Sequence, residues 1–176
     1  MMKNKLYFNL IALMMLLIAT AACNSASQQE NGETSAQTNA QQEEQSGPLS
    51  KVELKDLEGN TINLDDYSGK TIVLNFWATW CKPCIIEMPS MQEARTALGD
   101  DFVFLLASDE SMEKISSFKA RQNLDLPFVQ LQSGVQNLQI TALPTTWIIK
   151  DGEVVSEIIG AREWNTEAHI QELKSL

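Results

Sequence analysis

This 176-residue chain has little with which to hold a metal: three cysteines, Cys23, Cys81 and Cys84, and a single histidine, His169. Structural zinc takes about four ligands. Cys23 lies in a quite different segment and His169 near the C-terminus, so Cys81 and Cys84 do not read as half of a zinc site. Basic residues are scarce too, 13 against 23 acidic ones, for a formal net charge of −10. That balance argues against nucleic acid as a partner and against electrostatic attachment to anionic lipid. A membrane-crossing helix needs about 20 apolar residues, and the apolar stretch from Leu6 to Ala19 is too short and wrongly flanked. Between Asn24 and Leu49 there is no aromatic and no basic residue. Such a segment cannot offset its conformational entropy, and it reads as a disordered tether.

What is present is concentrated in Trp80-Cys81-Lys82-Pro83-Cys84, directly after an apolar run from Thr71 to Ala78 that reads as a buried strand. A strand feeding into a helix puts the first cysteine at the helix N-terminus, where unpaired N–H groups and the positive end of the macrodipole favour a thiolate. The second cysteine sits one turn deeper, where it can attack a mixed disulfide formed by the first. A purely structural bridge across so short a loop would constrain the unfolded chain little. Lys82 adds a cation beside Cys81, and Pro83 stiffens the first turn.

The odd cysteine count has its explanation at the N-terminus. Lys3 and Lys5 precede the apolar stretch, and Thr20-Ala21-Ala22 leads into Cys23, the layout of a secretory signal. A cysteine directly after small residues resembles a bacterial lipobox, although Thr20 stands where that signal usually has an aliphatic residue. The resemblance implies a signal peptide over residues 1–22, lipidation of Cys23, and a lipidated N-terminus and tether over residues 23–49. Loss of the signal would remove Lys3 and Lys5 and leave 11 basic and 23 acidic residues, a net of −12. Cys81 and Cys84 would then be the whole redox inventory, and the lipid would anchor the chain to the membrane unaided.

Residues 50–176 read as one domain of ordinary size. Val52 to Leu57 and Thr61 to Leu64 make a hairpin around Glu58-Gly59-Asn60. The strand from Thr71 leads into a helix over Cys81 to Leu98, which Pro89 should kink. Phe102 to Ala107 is a second buried strand, Met112 to Gln122 a helix, and Pro127 to Leu131 a short strand. Thr145 to Lys150 and Glu153 to Ile159 form a hairpin around Asp151-Gly152, and a last helix runs from Trp164 or Asn165 to Lys174. The expected class is α/β: a mixed central sheet flanked by helices, with an added N-terminal β-hairpin.

Asn75-Phe76-Trp77-Ala78-Thr79-Trp80-Cys81-Lys82-Pro83-Cys84, with Ala142-Leu143-Pro144-Thr145-Thr146 about sixty residues later, resembles the thioredoxin fold. With Glu87 and Pro89 continuing the motif, the chain resembles the TlpA/ResA-like branch of membrane-tethered, extracytoplasmic thiol–disulfide oxidoreductases. The resemblance implies that Cys81 is the exposed nucleophile, Cys84 the buried resolving thiol, and Cys81–Cys84 the redox disulfide. Pro144 would be the cis-proline facing the dithiol, freeing the backbone of Leu143 to pair with an extended substrate chain; a trans proline ending a loop is the alternative. Trp80 would form part of the rim around Cys81, and Trp77 by alternation belongs to the core. Trp147, Trp164 and His169 read as apolar packing and a surface residue.

Asn75 stands where cytoplasmic thioredoxin has a buried aspartate, and it cannot take a proton. Glu87 matches a glutamate that this branch places near its active site, where a partly buried carboxylate could accept the proton of Cys84; otherwise it is a solvated helix residue or caps a nearby amide. The resemblance implies no cofactor and no metal. Its partners would be protein thiols and disulfides such as apocytochrome c, and a membrane electron-donor thiol protein. The setting would be the periplasmic side of a bacterial membrane, with the domain a monomer. Lys-Pro between the cysteines, unlike the Pro-His of strong oxidants, points to reduction, with thiol oxidation or isomerisation as the alternative. A peroxiredoxin shares the fold, and Asp56 to Lys70 resembles that relative. It needs a Thr-x-x-Cys setting with a positioned arginine, and Thr79 and Cys81 lack that spacing. A non-catalytic binding module would not need both cysteines.

Overall fold

The computed structural model describes residues 47–176. The expected signal peptide, Cys23 and the tether up to residue 46 lie outside the described residues. The strands are β1 (Leu54–Lys55), β2 (Thr61–Ile62), β3 (Thr71–Phe76), β4 (Phe102–Ser108), β5 (Phe128–Leu131), β6 (Thr145–Lys150) and β7 (Glu153–Ile159). The α-helices are α1 (Lys82–Leu98), α2 (Met112–Lys119) and α3 (Glu167–Lys174). The strands form one mixed sheet in the order β2-β1-β5-β4-β3-β6-β7. Among the described residues, no helix is long and apolar enough to cross a membrane.

Every residue of β3 is buried, as expected for a strand covered on both faces. Val73 and Trp77 point to one core together with Met88, Phe104, Phe118 and Leu173. Ile72, Leu74 and Phe76 point to the other, with Leu105, Trp147 and Ile149. All three α-helices contribute to the first core. The connections β3–α1–β4 and β4–α2–β5 step the same way along the sheet with parallel pairing. Right-handed crossovers stepping in one direction lay their helices on one face. The second face is covered instead by irregular and 3₁₀ segments through Leu49, Leu64, Tyr67, Val135, Leu138 and Ile140.

The expected hairpin is present but short, with Leu54 opposite Ile62 and Lys55 opposite Thr61. Asp56 cuts it off. Its Oδ1 accepts the N–H groups of Glu58 (3.0 Å) and Asn60 (2.8 Å), and its Oδ2 the side-chain amide of Asn60 (2.8 Å). Local side-chain bonds of this kind compete with the ladder. Asn63 then caps a 3₁₀ turn over Leu64–Tyr67. Helix α2 stops at Lys119, short of Gln122, and α3 starts at Glu167, with Thr166 as its N-cap. Helix α1 continues through Pro89 to Leu98. The β6–β7 turn is as expected, with Asp151 and Gly152 at φ 52° and 78°, the mirror-image turn that matches strand twist.

Candidate functional site: a dithiol between two carboxylates

Cys81 and Cys84 are joined in a disulfide, their Cα atoms 5.3 Å apart. Cys81 is the N-cap of α1, and its Sγ accepts the N–H of Cys84 at 3.3 Å. A sulfur thereby takes the place that a serine or aspartate oxygen usually fills. In the reduced protein, that amide and the helix dipole would favour negative charge on Cys81. Cys84 is wholly buried, but Cys81 is itself only 4% exposed. The expectation of an exposed nucleophile is corrected accordingly: with Cys84 bonded to its sulfur, only a small part of Cys81 meets solvent. Trp80 beside it is 73% exposed, and Trp77 is buried in the core, both as expected.

The register places the second motif at the same end of the sheet. Phe76, the last residue of β3, pairs with Thr145, and Thr145 pairs with Ile159. The peptide bond Leu143–Pro144 just before Thr145 is cis. The Pro144 carbonyl accepts the N–H of Gly160 at 2.8 Å. Among the described residues, the backbone of half-buried Leu143 has no hydrogen-bond partner. Ile159 is 65% exposed, so apolar surface lies open beside Pro144.

Behind the dithiol, one turn along α1 from Cys84, stands Glu87. It is 3% exposed, so it is no solvated helix residue. Oε1 accepts from Asn75 Nδ2 at 2.9 Å, on the sheet side. Oε2 accepts from the N–H of Arg162 at 3.2 Å and from the indole N–H of Trp164 at 3.0 Å, on the loop side. Burial pushes its carboxyl above the usual carboxylate range, while Trp164, the Arg162 amide, Asn75 and the Arg162 charge pull in the other direction. Asn75 also donates to Thr146 Oγ1 at 2.9 Å, and its own Oδ1 is buried without a partner among the described residues.

On the opposite flank, Glu110 in the β4–α2 turn holds the segment leading into the motif. Its carboxylate accepts the Thr79 N–H at 2.6 Å and the Thr79 hydroxyl at 2.9 Å, and Lys114 Nζ lies 3.8 Å away. Sequence reasoning missed Glu110, Arg162 and Trp164. Only Trp164 carried a usable signal, because a buried indole N–H needs an acceptor.

Known proteins resemble this chain in sequence and in fold. The AhpC/TSA family matches residues 47–158. The thiol-disulfide oxidoreductase ResA of Bacillus thuringiensis subsp. konkukian is 39% identical over 110 residues, 60% of this chain and 64% of that protein. The match thus spans just under two thirds of that relative's length. The ResA of Geobacillus kaustophilus is 39% identical over 127 residues, 69% of this chain and 73% of that protein. Among solved structures, the pneumococcal exposed lipoprotein thioredoxin (Etrx1) from Streptococcus pneumoniae strain TIGR4 is 30% identical. It has a TM-score of 0.62 and covers 70% of this chain and 98% of that one.

Proposed function

The chain belongs to the AhpC/TSA family, among the ResA-like members of the thioredoxin superfamily, and on that premise we propose that it is a thiol–disulfide oxidoreductase that reduces protein disulfides. The observation that carries the reading is Cys81 Sγ at the N-terminus of α1, bonded to Cys84 and accepting its N–H.

In the reduced protein, the Cys81 thiolate attacks a substrate disulfide, forming a mixed disulfide and expelling one substrate thiolate. Cys84 gives its proton to Glu87 and attacks the Cys81 sulfur. The Cys81–Cys84 bond forms and the second substrate thiolate leaves. Two electrons pass from the dithiol to the substrate. The proton Cys81 released to solvent on ionising and the proton Cys84 passed to Glu87 return through solvent to the two substrate sulfurs, which leaves Glu87 ionised again. Trp80 and the unpaired backbone of Leu143 beside Pro144 would receive the substrate chain as an added strand. A second thiol protein at the membrane must reduce the disulfide for the next turn.

Substrates in this reading are extracytoplasmic disulfides, the haem-binding cysteines of apocytochrome c among them. The chain acts as a monomer on the periplasmic side of a bacterial membrane, exported by residues 1–22 and held by a lipid on Cys23. Reduction of insulin, assayed with peroxide consumption as a control, tests the activity. Insulin turnover without peroxide turnover supports the reading, and the reverse replaces it with a peroxidase. Cys23→Ser should leave the signal unprocessed or release the chain from the membrane, with dithiol exchange unchanged. Normal lipid labelling of that variant would remove the anchor from the scheme.

A further inference from the structure

Glu87, the proton acceptor in that reaction, is itself held from the loop side. Its outer oxygen meets one short segment, the Gly160–Asn165 loop between β7 and α3. Trp164 is 1% exposed, and its two N–H groups are both committed to α1. The indole N–H goes to Glu87 Oε2 at 3.0 Å, and the backbone N–H to Ser90 Oγ at 3.1 Å. Ser90 in turn donates to the Glu87 carbonyl at 2.7 Å. Arg162 completes the frame: its backbone N–H meets Glu87 Oε2, and its guanidinium lies 5.0 Å from the Trp164 ring centroid. The same guanidinium pairs with Glu172 of α3 at 2.5 Å. A cation stacked on an indole face holds that ring in place.

We propose that this loop is a clamp on Glu87, with Trp164 as the positioning residue and Arg162 as its brace, and that the clamp sets the pH at which Glu87 takes the proton of Cys84. The proposal rests on the reading of Glu87 as proton acceptor and adds to it the residues that determine its protonation.

The charged and titratable groups around the carboxylate are few. On α1 they are Cys81, Cys84 and Glu93; on the loop, Arg162 and Glu163; on α3, Glu172, which acts through Arg162. Among the described residues, the sheet meets the carboxylate through the neutral Asn75, which also bonds Thr146. Glu87, Glu93, Arg162 and Glu163 line one groove of about 490 Å³ open to solvent, through which a proton can leave. Donors aimed at Oε2 favour the ionised form against burial. Removing one donor therefore makes Glu87 hold its proton to higher pH, and fewer molecules carry an acceptor for Cys84 at low pH.

The test uses the full-length protein with Trp164→Phe, Arg162→Gln, and Trp164→Phe combined with Glu87→Gln. The Glu87 carboxyl is titrated by carbon-13 NMR of labelled glutamate, and the reaction with a small disulfide is timed across pH. Trp164→Phe should move the carboxyl titration upward. It should also slow exchange on the acidic limb of the rate profile, by up to about tenfold for each unit by which the titration moves, and leave the alkaline plateau unchanged. Arg162→Gln keeps the backbone donor and should move both in the same direction by less. It also carries the test if loss of a buried indole prevents folding. In the Glu87→Gln background, Trp164→Phe should leave the pH profile where it is. An unmoved carboxyl titration in the folded variants overturns the clamp. A moved titration with an unmoved rate profile upholds the clamp and overturns Glu87 as the proton acceptor.

Discussion

Two carboxylates flank the dithiol motif, one buried and one half-buried, and they are built for different work. Glu87, behind the motif, is 3% exposed, and the side chain of Glu110, in front of it, is 9% exposed. Both accept several hydrogen bonds. Glu110 has Lys114 at 3.8 Å as a counter-charge and spends its oxygens on Thr79, two residues before Cys81. Glu87 is held by uncharged donors, and its nearest cation, Arg162, is turned onto Glu172. A carboxylate with a facing cation and a loop to hold is an anchor. One that is buried among neutral donors can take a proton, because its ionised form is only partly compensated. The contrast lies in depth and surroundings together: Glu87 is buried among neutral donors, and Glu110 is half-buried with a cation facing it.

Both flanks serve one pair of sulfurs, so the largest effect comes from the sulfurs themselves. Cys84→Ser should accumulate mixed disulfides with extracytoplasmic proteins, because Cys81 still attacks and nothing resolves the product. Cys81→Ser should accumulate almost none. Non-reducing gels of cell extracts from the two strains read this directly, and equal trapping would overturn the assignment of nucleophile and resolver.

Next in size is the rear flank. Glu87→Gln removes the proton acceptor, and general-base assistance is worth about 10²–10⁴-fold where it is fully used. A small disulfide with a good leaving group draws on part of that, so the expected loss is about 10- to 100-fold near neutral pH. The acidic limb of the rate profile should disappear with it. Superimposable wild-type and variant profiles from about pH 5 to 9 would make Glu87 a bystander.

The front flank should respond in stability rather than rate. Glu110→Ala leaves the Thr79 N–H and hydroxyl without their acceptor, a loss of about 1–3 kcal/mol for a partly buried donor. Thermal or denaturant unfolding measures it. Exchange should slow only slightly, with the shape of its pH profile retained. If Glu110→Ala moved the acidic limb as Glu87→Gln does, the division into anchor and acceptor would fail.

How much of this was legible in the sequence depends on the range of the interactions. Strands β3, β4, β6 and β7 and helix α1 were readable because apolar runs and turn residues are local signals. Element ends were misjudged where one side chain redirected the backbone, as Asp56 does for the hairpin and Thr166 for α3. Cys81, Cys84 and the cis bond at Pro144 were readable because their motifs are contiguous. The surroundings of Glu87 were not. Trp164 reaches it across 77 residues and Arg162 across 75, and Glu110 reaches Thr79 across 31. A sequence pattern identifies a carboxylate near a dithiol; only the packed chain supplies the donors that decide what it does.

The smallest effect also separates the two kinds of carboxylate, through the pH dependence of stability. Glu87 holds its proton more tightly folded than unfolded, since burial raises its carboxyl above the reference of 4.5. Below about pH 4.5 the group is neutral in both states, and its contribution to stability is fully present. As the pH rises, the unfolded chain ionises first, and stability is lost until the pH passes the raised folded value. Glu172 has the opposite sign. Its hydrogen bond from Arg162 holds it below the reference, so its contribution is present above about pH 4.5 and is lost as the pH falls through its folded value. Glu172 is half exposed and solvent-screened, so its effect should be the smaller. Unfolding of wild type, Glu87→Gln and Glu172→Gln in urea from about pH 3 to 9 reads both. The stability of wild type relative to Glu87→Gln should fall with rising pH above about 4.5 and then level off. Relative to Glu172→Gln it should rise through the acid range and then stay flat. A wild-type to Glu87→Gln difference that is flat with pH would mean that the donors on Glu87 fully offset its burial, leaving no contrast with an anchored carboxylate.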